Sequence, residues 1–287
     1  MDELTSLVAE LGSRRWEARK AAAQGLVKIG RPAIPHLVQR LSDEDADVRL
    51  VAAKALGWIR NPAAVAPLAK SLRDDDPDVR RAVALALSMI ADAQALDPLA
   101  EALGSDSSWH VRAATAEALG SIGDARAVPA LIRALGDDFI DVREAAFEAV
   151  ARTGQAAVPG LLNALQGQDA NVRWGAAKAL GMIRDPAAVD RLMDAARDED
   201  HGVRQAAVEA LGQIRDPRSV DTLANALKDE SSPVRYAAAK ALERLSGPLA
   251  LAALTSAVKD KSWGVHWAAL KAVEKIRHAQ EKPDRRA

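Results

Sequence analysis

The chain has 287 residues, 49% of them hydrophobic, with 39 Lys and Arg set against 40 Asp and Glu and no cysteine. That length and apolar content allow one or two well-buried domains, and the near-zero net charge excludes a global pull toward nucleic acid or an anionic membrane. The missing cysteines exclude disulfides, thiolate nucleophiles and thiolate metal sites together. The apolar residues are almost all Ala, Leu, Val and Ile, with two Phe and one Tyr, a small-residue bias that suits closely packed helices better than sheets. The opening Met-Asp-Glu-Leu-Thr lacks a basic stretch leading into an apolar one, and no 18-residue apolar run follows. The expectation is a soluble, cytoplasmic protein with no membrane partner.

The elements repeat in chain order. A helical segment centred on Ala18-Arg19 is followed by Val-Arg at Arg49, Arg80, Arg112, Arg143, Arg173, Arg204 and Arg235, every 30 to 32 residues, and the frame closes on Val265-His266. This makes nine units. Counting from the arginine as zero, small or aliphatic residues fall at −1, +3, +6, +7 and +10, as in Val48, Ala52, Ala55, Leu56 and Ile59, which predicts a helix with one buried face. A second, shorter helix follows in each unit. Asn61-Pro62, Asp185-Pro186 and Asp216-Pro217 supply an N-cap and a first-turn proline for it, and Gly30, Gly123, Gly154 and Gly247 mark the break elsewhere. An Asp-rich turn such as Asp74-Asp75-Asp76 then leads into the next Val-Arg helix.

A helix pair of this length cannot bury its own apolar face, so each unit must stack on its neighbours. The fold class predicted is all-α: an α-solenoid of about nine 31-residue two-helix repeats, one continuous domain over 1–281 with a polar tail at 282–287. Six residues before the repeat arginine an Asp recurs at Asp43, Asp74, Asp106, Asp137, Asp198, Asp229 and Asp260, while Ser13, Gly167 and His266 break the pattern.

The segment Asn171 to Ile183, Asn-Val-Arg-Trp-Gly-Ala-Ala-Lys-Ala-Leu-Gly-Met-Ile, resembles the short HEAT-like repeats of the phycobilin lyase (PBS lyase) family, whose motif is D-x-x-V-R-x-x-A-A-x-A-L-G-x-I. The resemblance covers essentially the whole chain and is specific for fold, and such repeats serve lyases, scaffolds, hydroxylases and artificial binders alike. It implies that the arginines and aspartates pair between neighbouring repeats. Unlike the near-identical units of an artificial array, the framework here drifts, with Ser88 and Ala151 where other units have Gly57, Gly120, Gly181 and Gly212, so a natural sequence is expected.

Positions −3, −2, +1, +2, +5 and +9 vary most between units, and the four-residue spacing of −3, +1, +5 and +9 gathers them on one stripe opposite the buried one. The resemblance implies that this is the concave face. It holds every tryptophan and the tyrosine: Trp16, Trp109 and Trp263 at −3, Trp174, Tyr236 and Trp267 at +1, and Trp58 at +9. Leu50, Leu85, Met89, Ile140 and Met182 add aliphatic surface. Exclusion from small core positions would push bulky rings outward, but it would not keep them off the outer face of the second helix, which has comparable room. Exposed rows of Trp and Tyr mark interaction surfaces. Charge is graded along the stripe: Glu117, Asp141, Glu144 and Glu148 stand against Arg152 in the middle units, and Lys240, Arg244, Lys271 and Lys275 stand without an acid in the last two.

Enzymatic readings fare worse. Deoxyhypusine hydroxylase, similar in fold, holds iron with His-Glu pairs just after the repeat arginine, where this chain has Leu50-Val51, Arg81-Ala82 or Trp174-Gly175. The five histidines are scattered, and no metal or other cofactor is called for. Acids and bases nearly balance on the stripe, which argues against nucleic acid. Trp109, His110, Glu117, Asp141, Glu144 and Glu148 form the best acid–base constellation, but an open face offers no desolvated pocket for it. The reading is therefore a non-enzymatic scaffold or adaptor that takes a protein or peptide in the concave groove, with His110, Glu117, Glu144, Glu148 and Lys240 joining the aromatic and aliphatic residues as contacts. The alternative is a phycobilin (tetrapyrrole) lyase or chaperone subunit binding a bilin, although the aromatic-rich N-terminal stretch of such subunits has no match here beyond Trp16 and Trp58.

Overall fold

Each Val-Arg segment folds as a long helix, and each segment between them as a shorter one. The computed structural model describes residues 3–281, grouped into two units, Met1–Thr153 and Gly154–Ala287. The first contains α1 (Glu3–Glu10), α2 (Trp16–Ile29), α3 (Ile34–Arg40), α4 (Ala46–Ile59), α5 (Val65–Ser71), α6 (Pro77–Ile90), α7 (Leu96–Ser105), α8 (Trp109–Ile122), α9 (Val128–Ala134) and α10 (Ile140–Arg152). The second contains α11 (Val158–Ala164), α12 (Ala170–Ile183), α13 (Val189–Ala195), α14 (His201–Ile214), α15 (Val220–Ala226), α16 (Ser232–Leu245), α17 (Gly247–Ala257) and α18 (Trp263–Glu281). Among the described residues every regular element is helical, and the polar tail expected at 282–287 lies outside them.

Local sequence sets the boundaries. Asp45, Asp76, Asp169 and Asp200 each accept a backbone N–H of the first turn they precede, which satisfies donors that a helix start leaves unpaired. Asn61, Asp185 and Asp216 do the same for the turn of 3₁₀ helix that opens each shorter helix, with Pro62, Pro186 and Pro217 at its first position. The glycines expected to break the chain, Gly30, Gly123, Gly154 and Gly247, all have positive φ. In the intervening repeats Arg60, Ala91, Arg184 and Arg215 adopt the left-handed conformation instead, at a strain of about 1 to 2 kcal/mol each that the surrounding packing must outweigh.

Within each unit successive long helices lie side by side, and the shorter helices cover one flank of that layer. Positions −1, +3, +6 and +7 are buried as expected, in α4 as Val48, Ala52, Ala55 and Leu56. Two differences have one cause. Position +2, assigned to the variable stripe, is buried in Val51, Ala82, Ala114, Gly175, Ala206 and Ala237, and position +4 is buried in Ala53 and Ala84. A long helix is covered on three sides, by two neighbouring long helices and by the outer layer, which leaves a free face narrower than the sequence stripe. Position +10 is half-buried rather than buried, as at Ile59 and Ile90.

The repeat arginines lock neighbouring repeats together. Arg49 donates Nε and Nη2 to the two carboxylate oxygens of Asp74 at 2.7 and 2.8 Å, and turns Nη1 back to the carbonyls of Asp43 and Glu44. Arg80–Asp106, Arg112–Asp137, Arg173–Asp198, Arg204–Asp229 and Arg235–Asp260 repeat the fork. One guanidinium thus ties its own turn to the next, in the bidentate geometry that favours Arg over Lys. The ends depart from this. Arg19 bonds Asp45 and Asp47 instead of Asp43, which Arg40 takes, and the His266 ring bonds the Val258 carbonyl. Arg143 keeps its carbonyl bonds to Asp137 and Asp138, but among the described residues its buried Nε has no partner.

Burial pushes the Asp198 carboxyl up, but the Arg173 fork, the Asp200 N–H and the neighbouring charges outweigh it and hold the group below the ordinary aspartate value of 3.8. The same balance depresses Asp74, Asp137 and Asp229, and in Asp260 the Arg235 fork is the leading cause. A carboxyl depressed in the folded state contributes stability that is fully present above its unfolded value and is lost as pH falls through its folded value. Thermal unfolding should therefore have a flat midpoint between pH 7 and about 5 and a steep fall below pH 3.8; a midpoint that declines evenly from pH 7 would show that the ladder does not control acid stability.

Candidate functional site

In each unit the free side of the long-helix layer carries aromatic residues. Trp16, Trp58, Met89, Ile140, Met182, Tyr236, Trp263 and Trp267 are exposed large apolar side chains, with Trp263 at 75%. Leu50, Trp109, Trp174 and Lys240 are half-buried, and His110, Glu117, Glu144 and Glu148 are exposed. Trp109, His110, Glu117, Glu144 and Glu148 share one groove in the first unit, and Tyr236, Lys240 and Trp267 share another in the second.

In the first unit α6, α8 and α10 line a groove of about 360 Å³. Leu85, Trp109 and the alanines at 113, 114 and 145 supply its apolar lining, and Glu117, Asp141, Glu144 and Glu148 its acidic one; Arg81 and His110 complete it. The constellation Trp109, His110, Glu117, Asp141, Glu144, Glu148 is thus brought together as the periodicity suggested. The Trp109 ring stacks on His110 at 3.6 Å and on Phe139 at 5.7 Å, and the Arg112 guanidinium lies 5.6 Å from the Phe139 ring centre. Because Arg112 is fixed by its fork onto Asp137, the ladder also fixes the ring that backs Trp109.

The sequence reading missed Phe139, although a signal was there. It occupies the N-cap of α10, with φ −93° and ψ 126°, the extended geometry of Asp45 and Asp76 at equivalent starts, yet it offers no capping oxygen. An aromatic ring where most other units have Asp or Ser breaks a local rule, and such breaks gather at functional sites. Phe139→Asn should stabilise the first unit by about 1 kcal/mol by restoring the cap while weakening partner binding through loss of the ring behind Trp109. Urea unfolding and a binding titration on the same variant read the two effects separately.

In the second unit α16 and α18 line a groove of about 470 Å³ with Tyr236, Lys240, Trp267, Lys271 and Lys275. Trp263 and Trp267 stack in parallel at 6.0 Å, and the Lys271 ammonium lies 5.2 Å from the Trp267 ring centre, within cation–π range. The acid-free basic end expected here is corrected by Glu243, which accepts hydrogen bonds from Lys240 at 2.5 Å and Lys275 at 2.8 Å. Burial raises the Glu243 carboxyl, and the two lysines outweigh that and lower it. Glu243 stands at +8, the close-approach glycine of four other repeats, so the stripe positions alone did not include it. Ile140, Trp174 and Met182 lie outside both grooves. Trp16, Leu50, Trp58 and Met89 belong to the first three long helices, where the Met89 sulfur packs over Gly57.

Among the described residues no group of His, Asp and Glu is arranged to hold a metal, and no helix is long and apolar enough to cross a membrane. The sequence matches the HEAT repeats family over residues 4–88, 65–151, 158–243 and 220–284. The chain belongs to the HEAT repeats. No curated protein matches it in sequence. Among solved structures this HEAT-repeat chain is similar to yeast importin-β, with a TM-score of 0.70 and 16% identity over 99% of this chain and 47% of that one. It is also similar to a karyopherin bound to the extreme C-terminus of a protein phosphatase, with a TM-score of 0.73 and 16% identity over 96% of this chain and 38% of that one. It therefore spans less than half the length of these karyopherins, and at that identity the likeness establishes the solenoid fold alone. The CpcE–CpcF complex of phycocyanin lyase from Nostoc sp. is 28% identical over 52% of this chain and 99% of its own, at a TM-score of 0.49, too low for a functional argument.

Proposed function

We propose that this HEAT-repeat protein is a non-enzymatic scaffold that binds a protein or peptide partner on the free face of its long helices. The observation that carries the reading is the placement of the aromatic residues. The large fully buried side chains are leucines, while each unit presents tryptophan in a groove beside residues of the next repeat. Trp and Tyr supply much contact area for few rotatable bonds, which makes them frequent anchors of binding energy. Both grooves are bordered by exposed charges, a setting that favours a partner's surface over desolvated acid–base chemistry.

The test is a pull-down from source lysate with the wild type and with a Trp109→Ala, Trp267→Ala double variant, both checked for helical content. A protein retained by the wild type and lost by the variant supports the reading; identical retention by both contradicts it. A second reading follows from the lysines around Trp267 and Tyr236, since a flat tetrapyrrole with carboxylate side chains would match a basic aromatic groove, as in a PBS-lyase-type subunit. It requires a visible absorbance change on mixing with a bilin, abolished by Trp267→Ala, and fails without one.

A further inference from the structure

The first unit's groove holds acidic charge that the protein itself answers only in part. Glu117 and Glu148 occupy the same register in α8 and α10, five residues after the repeat arginine, and Glu144 lies one turn before Glu148. Like charges so placed repel and destabilise the face that carries them. In the second unit two acids on the long helices are paired. Glu209, in that register of α14, accepts hydrogen bonds from Lys178 and Gln205, and Glu243 takes two lysines. Arg152 reaches Glu148 at 3.7 Å, but among the described residues no hydrogen bond or ion pair engages the side chains of Glu117, Asp141 or Glu144. These carboxylates border Leu85 and Trp109 in one groove, where Arg81 stands against four acids, so an apolar strip runs beside a net anionic one.

We infer that this groove docks a lysine- or arginine-bearing peptide segment of the partner protein, an assignment that rests on the scaffold function proposed above. Long basic side chains have an aliphatic stem that covers apolar surface and a cationic head that seeks anions. The stem packs along Leu85 and Trp109, and the head is met by Glu117, Glu144 and Glu148. Acidic segments are repelled, and uncharged ones leave the carboxylates unanswered, so the charge selects the partner as well as attracting it.

The probe is an unbiased phage library of short random peptides, selected in parallel on the full chain, on a Glu117→Gln, Glu144→Gln, Glu148→Gln variant and on Trp109→Ala. All four positions are exposed or half-buried, and circular dichroism confirms folding. The expected result is enrichment of Lys- and Arg-containing peptides on the wild type, with affinity that falls as salt is raised and drops about ten-fold or more on the glutamine variant. Peptides with no basic bias, or equal binding to the glutamine variant, overturn the charge assignment; if they are still lost on Trp109→Ala, the scaffold reading stands without it. Recovery of no peptide on the wild type overturns the peptide groove and leaves the scaffold reading to the pull-down.

Discussion

Replacing Asp198 by alanine is expected to destabilise the second unit by about 2 to 3 kcal/mol. The Arg173 side chain is 9% exposed and Asp198 is 11% exposed, so the change removes the two charge-assisted hydrogen bonds from Arg173 together with the one that the Asp200 N–H donates to Asp198, and leaves a largely buried guanidinium short of its counter-ion. Breaking a buried pair from one side costs about 3 to 5 kcal/mol. The loss here is smaller because Nη1 keeps the carbonyls of Gly167 and Gln168 and because Glu199, already 3.5 Å from Nη2, can take up part of the charge. Asp47→Ala is the internal contrast. Asp47 also binds a repeat arginine, but it is 60% exposed and shares Arg19 with Asp45, and exposed pairs contribute about 1 kcal/mol or less. The midpoint of urea unfolding should fall clearly for Asp198→Ala and little for Asp47→Ala. Equal shifts would mean that burial does not govern the ladder.

Gly212→Ala should destabilise by about 2 kcal/mol, against the intrinsic preference of helices for alanine. A Cβ at Gly212 would lie 2.6 Å from the Ala241 Cβ and 2.7 Å from its Cα, so α14 and α16 would have to separate, and overpacking of this kind costs about 1 to 3 kcal/mol. The same approach joins Gly57 to Ala86, Gly120 to Ala149 and Gly181 to Ala210. At Gly104, in α7, a Cβ would meet nothing within 4 Å, so Gly104→Ala should stabilise by about 1 kcal/mol, the propensity difference alone. Opposite signs for the two glycine-to-alanine changes are the expected outcome; the same sign in both would contradict tight packing of the long-helix layer.

The architecture was legible because one interaction pattern recurs until it stands out from noise. Val-Arg at a fixed interval, capping aspartates and break glycines each report a backbone requirement, and the structure meets them where the sequence placed them. The pairing of Arg49 with Asp74 was legible only through resemblance, since periodicity alone does not say which repeat an arginine reaches. The site was legible in part. Helical spacing put Trp109, Glu117, Glu144 and Glu148 on one face, and they share a groove. Phe139 was passed over because it precedes the helix, and Glu243 because its position holds glycine elsewhere, so both act through contacts between repeats that a single-repeat pattern does not contain. The burial of Val51 and Ala82 has the same origin: a stripe deduced from one helix is trimmed when the neighbouring helices close over its edge.

The placement of the partner is tested most directly by photo-crosslinking. With a photoreactive phenylalanine analogue substituted in turn at Trp109 and Trp267 on the long helices and at Arg73 and Leu249 on the shorter-helix side, all in otherwise wild-type protein, irradiation in source lysate should trap a partner from the first two positions and not from the second two. Leu249 is 68% exposed and would report a partner on the other side as readily. Adducts from Arg73 or Leu249 in place of Trp109 and Trp267 would contradict binding on the free face of the long helices.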